Sequence, residues 1–167
     1  MIIVEVGIKL EEPLEVYDKI LKEHGAQNVY NCETHDIYYT NNNLDRLTEN
    51  QMKNACIRLR NSREDSDEEK ELINKGYHKV FDTTKKDHHY VIGNMKSVIQ
   101  LQEIEGIGLV VYYDNPDYYE YDEGKQWDCL ISELNTYGFN FDKSIKGIDK
   151  LRTLYYGKEM FSKNQNG

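Results

Sequence analysis

Residues 2–10 alternate in a way that few folds can use. Ile2, Val4, Val6, Ile8 and Leu10 share one side of an extended chain, while Ile3, Glu5, Gly7 and Lys9 share the other. Successive side chains of a strand point to opposite faces, so this segment offers one apolar face and one charged face. The same division returns in Ala55-Cys56-Ile57-Arg58-Leu59-Arg60, where Ala55, Ile57 and Leu59 oppose Arg58 and Arg60. A sheet with its apolar face on a core and its charged face in water satisfies this pattern, and that is the commonest arrangement. A sheet that curls its charged face around a polar lumen satisfies it equally. Two guanidiniums two residues apart on one face have a sharper use there, because they can grip phosphate oxygens in bidentate fashion.

The rest of the chain predicts further strands and a few helices. Pro13 opens a helix with Leu14, Tyr17, Ile20 and Leu21 on one stripe and Gly25 as its stop. Strands are expected at 34–40 and 54–60, joined by an Asn-rich polar stretch, 41–50. Residues 67–75 read as a short helix capped by Asp67 and ended by Gly76. Strand-like runs follow at 77–84, 85–92, 98–105 and 109–114, the first two possible as one strand, with turns at Gly93-Asn94 and Gly106-Ile107-Gly108. Residues 114–124 are acidic, rich in tyrosine and expected as a surface loop, with a partner-binding patch as the less favoured use. A helix over 125–137 then buries Trp127, Leu130, Ile131 and Leu134, and a short helix or strand lies near 144–156. This order predicts one antiparallel α+β domain over 1–160, with 161–167 as a flexible tail.

Composition removes several function classes. A chain of 167 residues can bury a core without a disulfide or metal staple. Asp and Glu number 30 against 21 Lys and Arg, a net charge of −9, which argues against a nonspecific nucleic-acid binder or an anionic membrane surface. The 14 tyrosines, against 4 Phe and 1 Trp, suit half-buried strands better than a helical bundle. No apolar run approaches a membrane span, and Cys32, Cys56 and Cys129 read as reduced thiols, so a cytoplasmic protein is expected. His88 and His89 are neighbours on a strand and point to opposite faces, so at most one can enter any site, and a solvated role is the simpler reading.

Taken together, these motifs resemble the CYTH superfamily of class IV adenylyl cyclases, thiamine triphosphatases and inorganic triphosphatases. Glu5-Val6-Gly7-Ile8-Lys9 is similar to its Glu-x-Glu-x-Lys strand, and Asp36-Ile37-Tyr38-Tyr39 to its Asp-x-Tyr-Phe strand. Ile57-Arg58-Leu59-Arg60 resembles its Leu-Arg-Ile-Arg strand, and Ile104-Glu105-Gly106-Ile107-Gly108 its Val-Glu-Gly-Leu-Gly turn. The resemblance implies an antiparallel β barrel or tunnel that holds a triphosphate with Mg2+ or Mn2+. It implies Lys9, Arg58, Arg60 and Lys85 on the phosphates and Glu5, Asp114 and Asp36 on metal. The implied activity is that of an adenylyl cyclase or triphosphatase acting on ATP or another triphosphate.

The departures from the family pattern are as informative. Gly7 stands where the second glutamate belongs, Gln102 replaces an aspartate, Asp87 replaces an arginine, and Tyr112 stands at a carboxylate position. Only residues 61–67 separate the Arg58–Arg60 strand from the next helix, where the family has two more strands. About six strands are therefore expected instead of eight, with an unpaired edge that a second copy could join to make a homodimer. The alternative function is a non-catalytic module binding an anion or a protein. Without any ligand, Glu5 and Lys9 also make sense as a simple ion pair, and Trp127 as core.

Overall fold

Two fifteen-residue strands, β2 (Ala26–Thr40) and β4 (His78–Ile92), organise the structure, a computed structural model that describes residues 1–162. They pair antiparallel from Ala26 opposite Ile92 to Thr40 opposite His78, with register shifts near Asn28–Tyr30 and Tyr38–Tyr39. Such irregularities increase local twist and let so long a pair bend. β1 (Val6–Lys9), β3 (Cys56–Arg60), β5 (Ile99–Ile104) and β6 (Gly108–Tyr113) complete one antiparallel sheet in the order β1-β6-β5-β4-β2-β3. The expected six strands and α+β class are present, and 77–84 with 85–92 form a single strand. The sheet does not close on itself by hydrogen bonds: β1 and β3 are its two ends.

The apolar parity of each strand lies under helices. Val6, Ile8, Ile99, Leu101 and Val111 pack with Leu21 of α1 (Leu14–Glu23) and with Trp127, Leu130 and Leu134 of α4 (Glu123–Thr136). Farther along, Ile37 and Tyr39 pack against Leu72 of α3 (Asp67–Asn74), which Ser66 caps by accepting from the Glu69 amide. Each fully buried side chain of this size contributes roughly 1.5–3 kcal/mol, so these clusters hold the sheet's outer face.

Two helices depart from the expected assignment. Residues Glu49–Ala55 form α2, so Asn54 and Ala55 belong to a helix and the strand starts only at Cys56. A capping box decides this locally: Thr48 accepts from the Gln51 amide while the Gln51 side chain accepts from the Thr48 amide. α5 (Lys150–Tyr156) settles the ambiguous 144–156 region as helix. Tyr38, Leu44, Met52 and Leu151 form a further cluster that fixes α2 to α5. The expected surface loop holds a short 3-10 turn, Pro116–Tyr118, and Asp122 caps α4. Of the expected tail, Phe161 bridges Ile148, the Ser162 amide bonds the Gly147 carbonyl, and 163–167 lie outside the described residues.

Candidate functional site

Directly opposed residues of an antiparallel pair share a face, so register alone assembles the concave side of the sheet. Arg58 lies opposite Tyr38 and Tyr38 opposite Phe81, while Gln100 and Gly7 both lie opposite Tyr112. Lys85 and Asp87 follow Phe81 at even spacing on β4, with Asp87 opposite Gln102. One cavity of about 1430 Å3 is lined by Gly7, Tyr112, Gln102, Lys85, Tyr38 and Arg58, a contribution from all six strands. A sheet whose every strand faces one cavity is bent around it, so the charged parity looks inward.

Helices close the gap between β1 and β3. The Ile148 amide donates to the Gly7 carbonyl at 2.8 Å, laying residues 147–149 along the free edge of β1. A side chain at Gly147 would place its Cβ 3.2 Å from that carbonyl, a tight contact that glycine avoids. From there α5 leads to α2, and α2 leads into β3. The wall between β3 and β1 is thus built from α2 and α5.

The lining is cationic in an acidic protein. Arg46, Lys53, Arg58, Lys85, Lys150 and Arg152 face the cavity, against Glu5, Glu49, Glu123 and Asp149. Several of these acids are occupied. Glu49 accepts from the Leu151 and Arg152 amides at 2.7 and 3.0 Å, and Asp149 accepts from Arg152 at 2.8 Å. Burial raises the Glu49 carboxyl above its usual range, partly offset by those two amides. Lys85 is buried and lies 3.8 Å from Asp87. Lys150 has no salt bridge among the described residues. Its amine is pushed down to about 8, first by burial and then by the charge of Lys85, with Arg58 and Arg60 adding and Asp36 opposing.

The seven residues singled out from sequence separate into groups. Arg58, Lys85 and Glu5 line the cavity. Burial raises the Glu5 carboxyl, Asp114 raises it further, and Lys53 and Lys85 pull it back. Asp36 is fully buried and holds Arg60 in a fork, accepting from Nε at 2.8 Å and from the terminal nitrogen at 3.1 Å. Burial pushes the Asp36 carboxyl up, but the Arg60 hydrogen bonds and the charges of Arg60 and Arg58 bring it below the usual range. Asp114 accepts from the Tyr119 hydroxyl, and Lys9 pairs with Glu159 at the rim of a separate cleft. Lys53, Lys150 and Arg152 were not singled out; they sit on short helices where sequence offers nothing to distinguish a cavity lysine from a solvated one.

The carboxylates do not suit a protein-held metal. Asp36 is committed to Arg60, Asp114 to Tyr119, and no three potential ligands cluster among the described residues. The missing glutamate at Gly7 is sterically excluded as well: a Cβ there would lie 2.6 Å from Cε1 of the Tyr112 ring. His88 is hydrogen-bonded to Asn31 and Glu103, and His89 packs on the Tyr30 ring, both away from the cavity.

No protein-family model and no curated protein matches this sequence. Solved structures do. A protein from Pyrococcus horikoshii OT3 superposes with a TM-score of 0.55 at 13% identity, covering 83% of this chain and 92% of its own. A conserved hypothetical protein from Pyrococcus furiosus gives 0.53 at 17% identity, covering 82% and 92%. A "putative adenylate cyclase" from Vibrio parahaemolyticus gives 0.51 at 15% identity, covering 80% and 87%. The chain shares the fold of these structures, in line with the fold that its motifs' resemblance to the CYTH superfamily implies. At these identities the likeness is one of architecture, and a fold by itself does not carry an activity.

Proposed function

We propose that the chain binds a triphosphate-bearing compound, or another compact polyanion, in the concave cavity. The observation that carries this reading is the charge of the wall: six cationic side chains against four acidic ones, in a chain of net charge −9. Cations gathered on one concave wall repel one another unless an anion compensates them. Arg58 is placed to fork phosphate oxygens, with Lys85 and Lys150 as point charges beside it. The donor set supports binding more than turnover. Phosphoryl and nucleotidyl transfer depend on stabilising charge that develops in the transition state, and Asp36 and Asp114, two of the three carboxylates that the resemblance assigns to a bridging cation, are engaged elsewhere. A divalent ion would then arrive as the polyphosphate's own counter-ion, with Glu5 the nearest free carboxylate on the wall.

Calorimetric titration with tripolyphosphate, in EDTA and in Mg2+, tests the proposal. Saturable binding in both conditions is expected, and Arg58→Ala should weaken it roughly tenfold to a hundredfold, the worth of a charge-assisted hydrogen bond. Absence of binding by the intact chain would refute the reading. Incubation with ATP, thiamine triphosphate and tripolyphosphate in Mg2+ or Mn2+ tests the enzymatic alternative, and turnover of any of them would overturn the preference for binding alone.

A further inference from the structure

Lys150 lines the cavity beside other cations and has no salt bridge among the described residues. It is the first residue of α5. β3 brings Arg58 and Arg60 toward it, and β4 brings Lys85. From β2 come the Tyr38 hydroxyl and Asp36, but the Asp36 carboxylate is held in the Arg60 fork. α2 brings Lys53 and Glu49, and Glu49 is spent on the Leu151 and Arg152 amides. Its own flank supplies Asp149, which Arg152 takes. Asp36, Glu49 and Asp149 are therefore each engaged already, while the charges of Lys85, Arg58 and Arg60 oppose a charge on Lys150.

We infer that Lys150 is an anion-contact residue of this cavity and that it takes up a proton as the polyanion enters, so binding and protonation are coupled. The inference rests on the cavity being an anion site. An entering phosphate supplies the counter-charge that Lys150 lacks and restores its ordinary basicity. The empty cavity holds this amine near its half-charged point at about pH 8. At that pH, filling the cavity draws in about half a proton at this residue. No motif of the sequence marks Lys150 for the role; the tertiary placement of α5 does.

Proton uptake is measured by titrating tripolyphosphate at pH 8 in two buffers of different ionisation enthalpy. Protons exchanged by tripolyphosphate itself cancel when the wild-type chain is compared with Lys150→Arg, whose guanidinium keeps the charge but does not titrate. Wild type should take up about half a proton more than Lys150→Arg, and its affinity should fall more steeply between pH 7 and pH 9. Lys150→Met, close in volume and uncharged, should bind roughly tenfold or more weakly at pH 7 and should lose the same uptake. Equal uptake by all three chains, each binding tripolyphosphate, would overturn this inference while leaving the anion site standing. Failure of the wild-type chain itself to bind would overturn both.

Discussion

Three residues decide the character of the cavity, each through a different force. Gly7 does so by sterics: its neighbour Tyr112 fills the volume a side chain would need. Gly7→Ala is therefore expected to destabilise the protein by about 1–3 kcal/mol in urea melts, the usual cost of overpacking, and Tyr112→Ala in the same background should recover part of it. Asp36 acts through charge. Its carboxyl is held below the ordinary value, so its stabilisation is complete above about pH 4 and is lost as pH falls through the lowered value. Asp36→Asn should cost about 1–3 kcal/mol at pH 7, and the gap from wild type should narrow on acidification. Lys150 has the opposite sign. Below about pH 8 the ligand-free fold carries a charge it disfavours, and that cost fades as pH rises toward the usual lysine value of 10.5. Lys150→Met should therefore raise the stability of the ligand-free chain at pH 7, on the order of 1–2 kcal/mol, with the difference shrinking toward pH 10.

At the scale of elements, the strands were far more legible than the short helices. Alternation of apolar and charged residues identified β1 and β3, and it showed which side chains would share a face. That pattern survives in any environment because it is a property of the extended backbone. α2 escaped because 49–55 carries no clear apolar stripe, although Thr48 and Gln51 spell a capping box directly before it. Its buried contact, Met52, is decided by α5, which lies about a hundred residues away in sequence. Thr48→Ala should remove the bond that the Thr48 hydroxyl accepts from the Gln51 amide and cost about 1 kcal/mol in thermal melts. The change should also reduce tripolyphosphate affinity, since α2 carries Lys53 and supports α5. Retention of full affinity with lowered stability would separate the wall's fold from the binding residues.

The whole molecule is a bent sheet armoured outside by α1, α3 and α4 and closed inside by α2 and α5. A ligand that binds only the folded state must stabilise it, and at a concentration a hundredfold above Kd the gain is about 2.7 kcal/mol. Tripolyphosphate should accordingly raise Tm by roughly 5–10 °C for a chain of this size, and the shift should decline with added salt. The outer edge of β3 pairs with no strand among the described residues. It is five residues long and carries Arg58 and Arg60, and a short charged edge resists pairing. Sedimentation should therefore report a monomer, and a dimer whose assembly is lost on placing a proline in β3 would show that the edge is used.

Sequence alone determined that this chain makes an antiparallel sheet with one apolar and one charged face, because strand parity is local, and the resemblance of its motifs named Arg58, Lys85 and Glu5 among the residues that meet. It could not say that Asp36 and Arg60 neutralise each other, that Asp114 is bonded by Tyr119, or that Lys9 pairs with Glu159. It gave no sign that Lys150 is a cavity residue at all. Those outcomes depend on which side chains from distant parts of the chain come within a few ångströms, where burial and Coulomb forces become large, and only the closing of α2 and α5 over the sheet sets those distances.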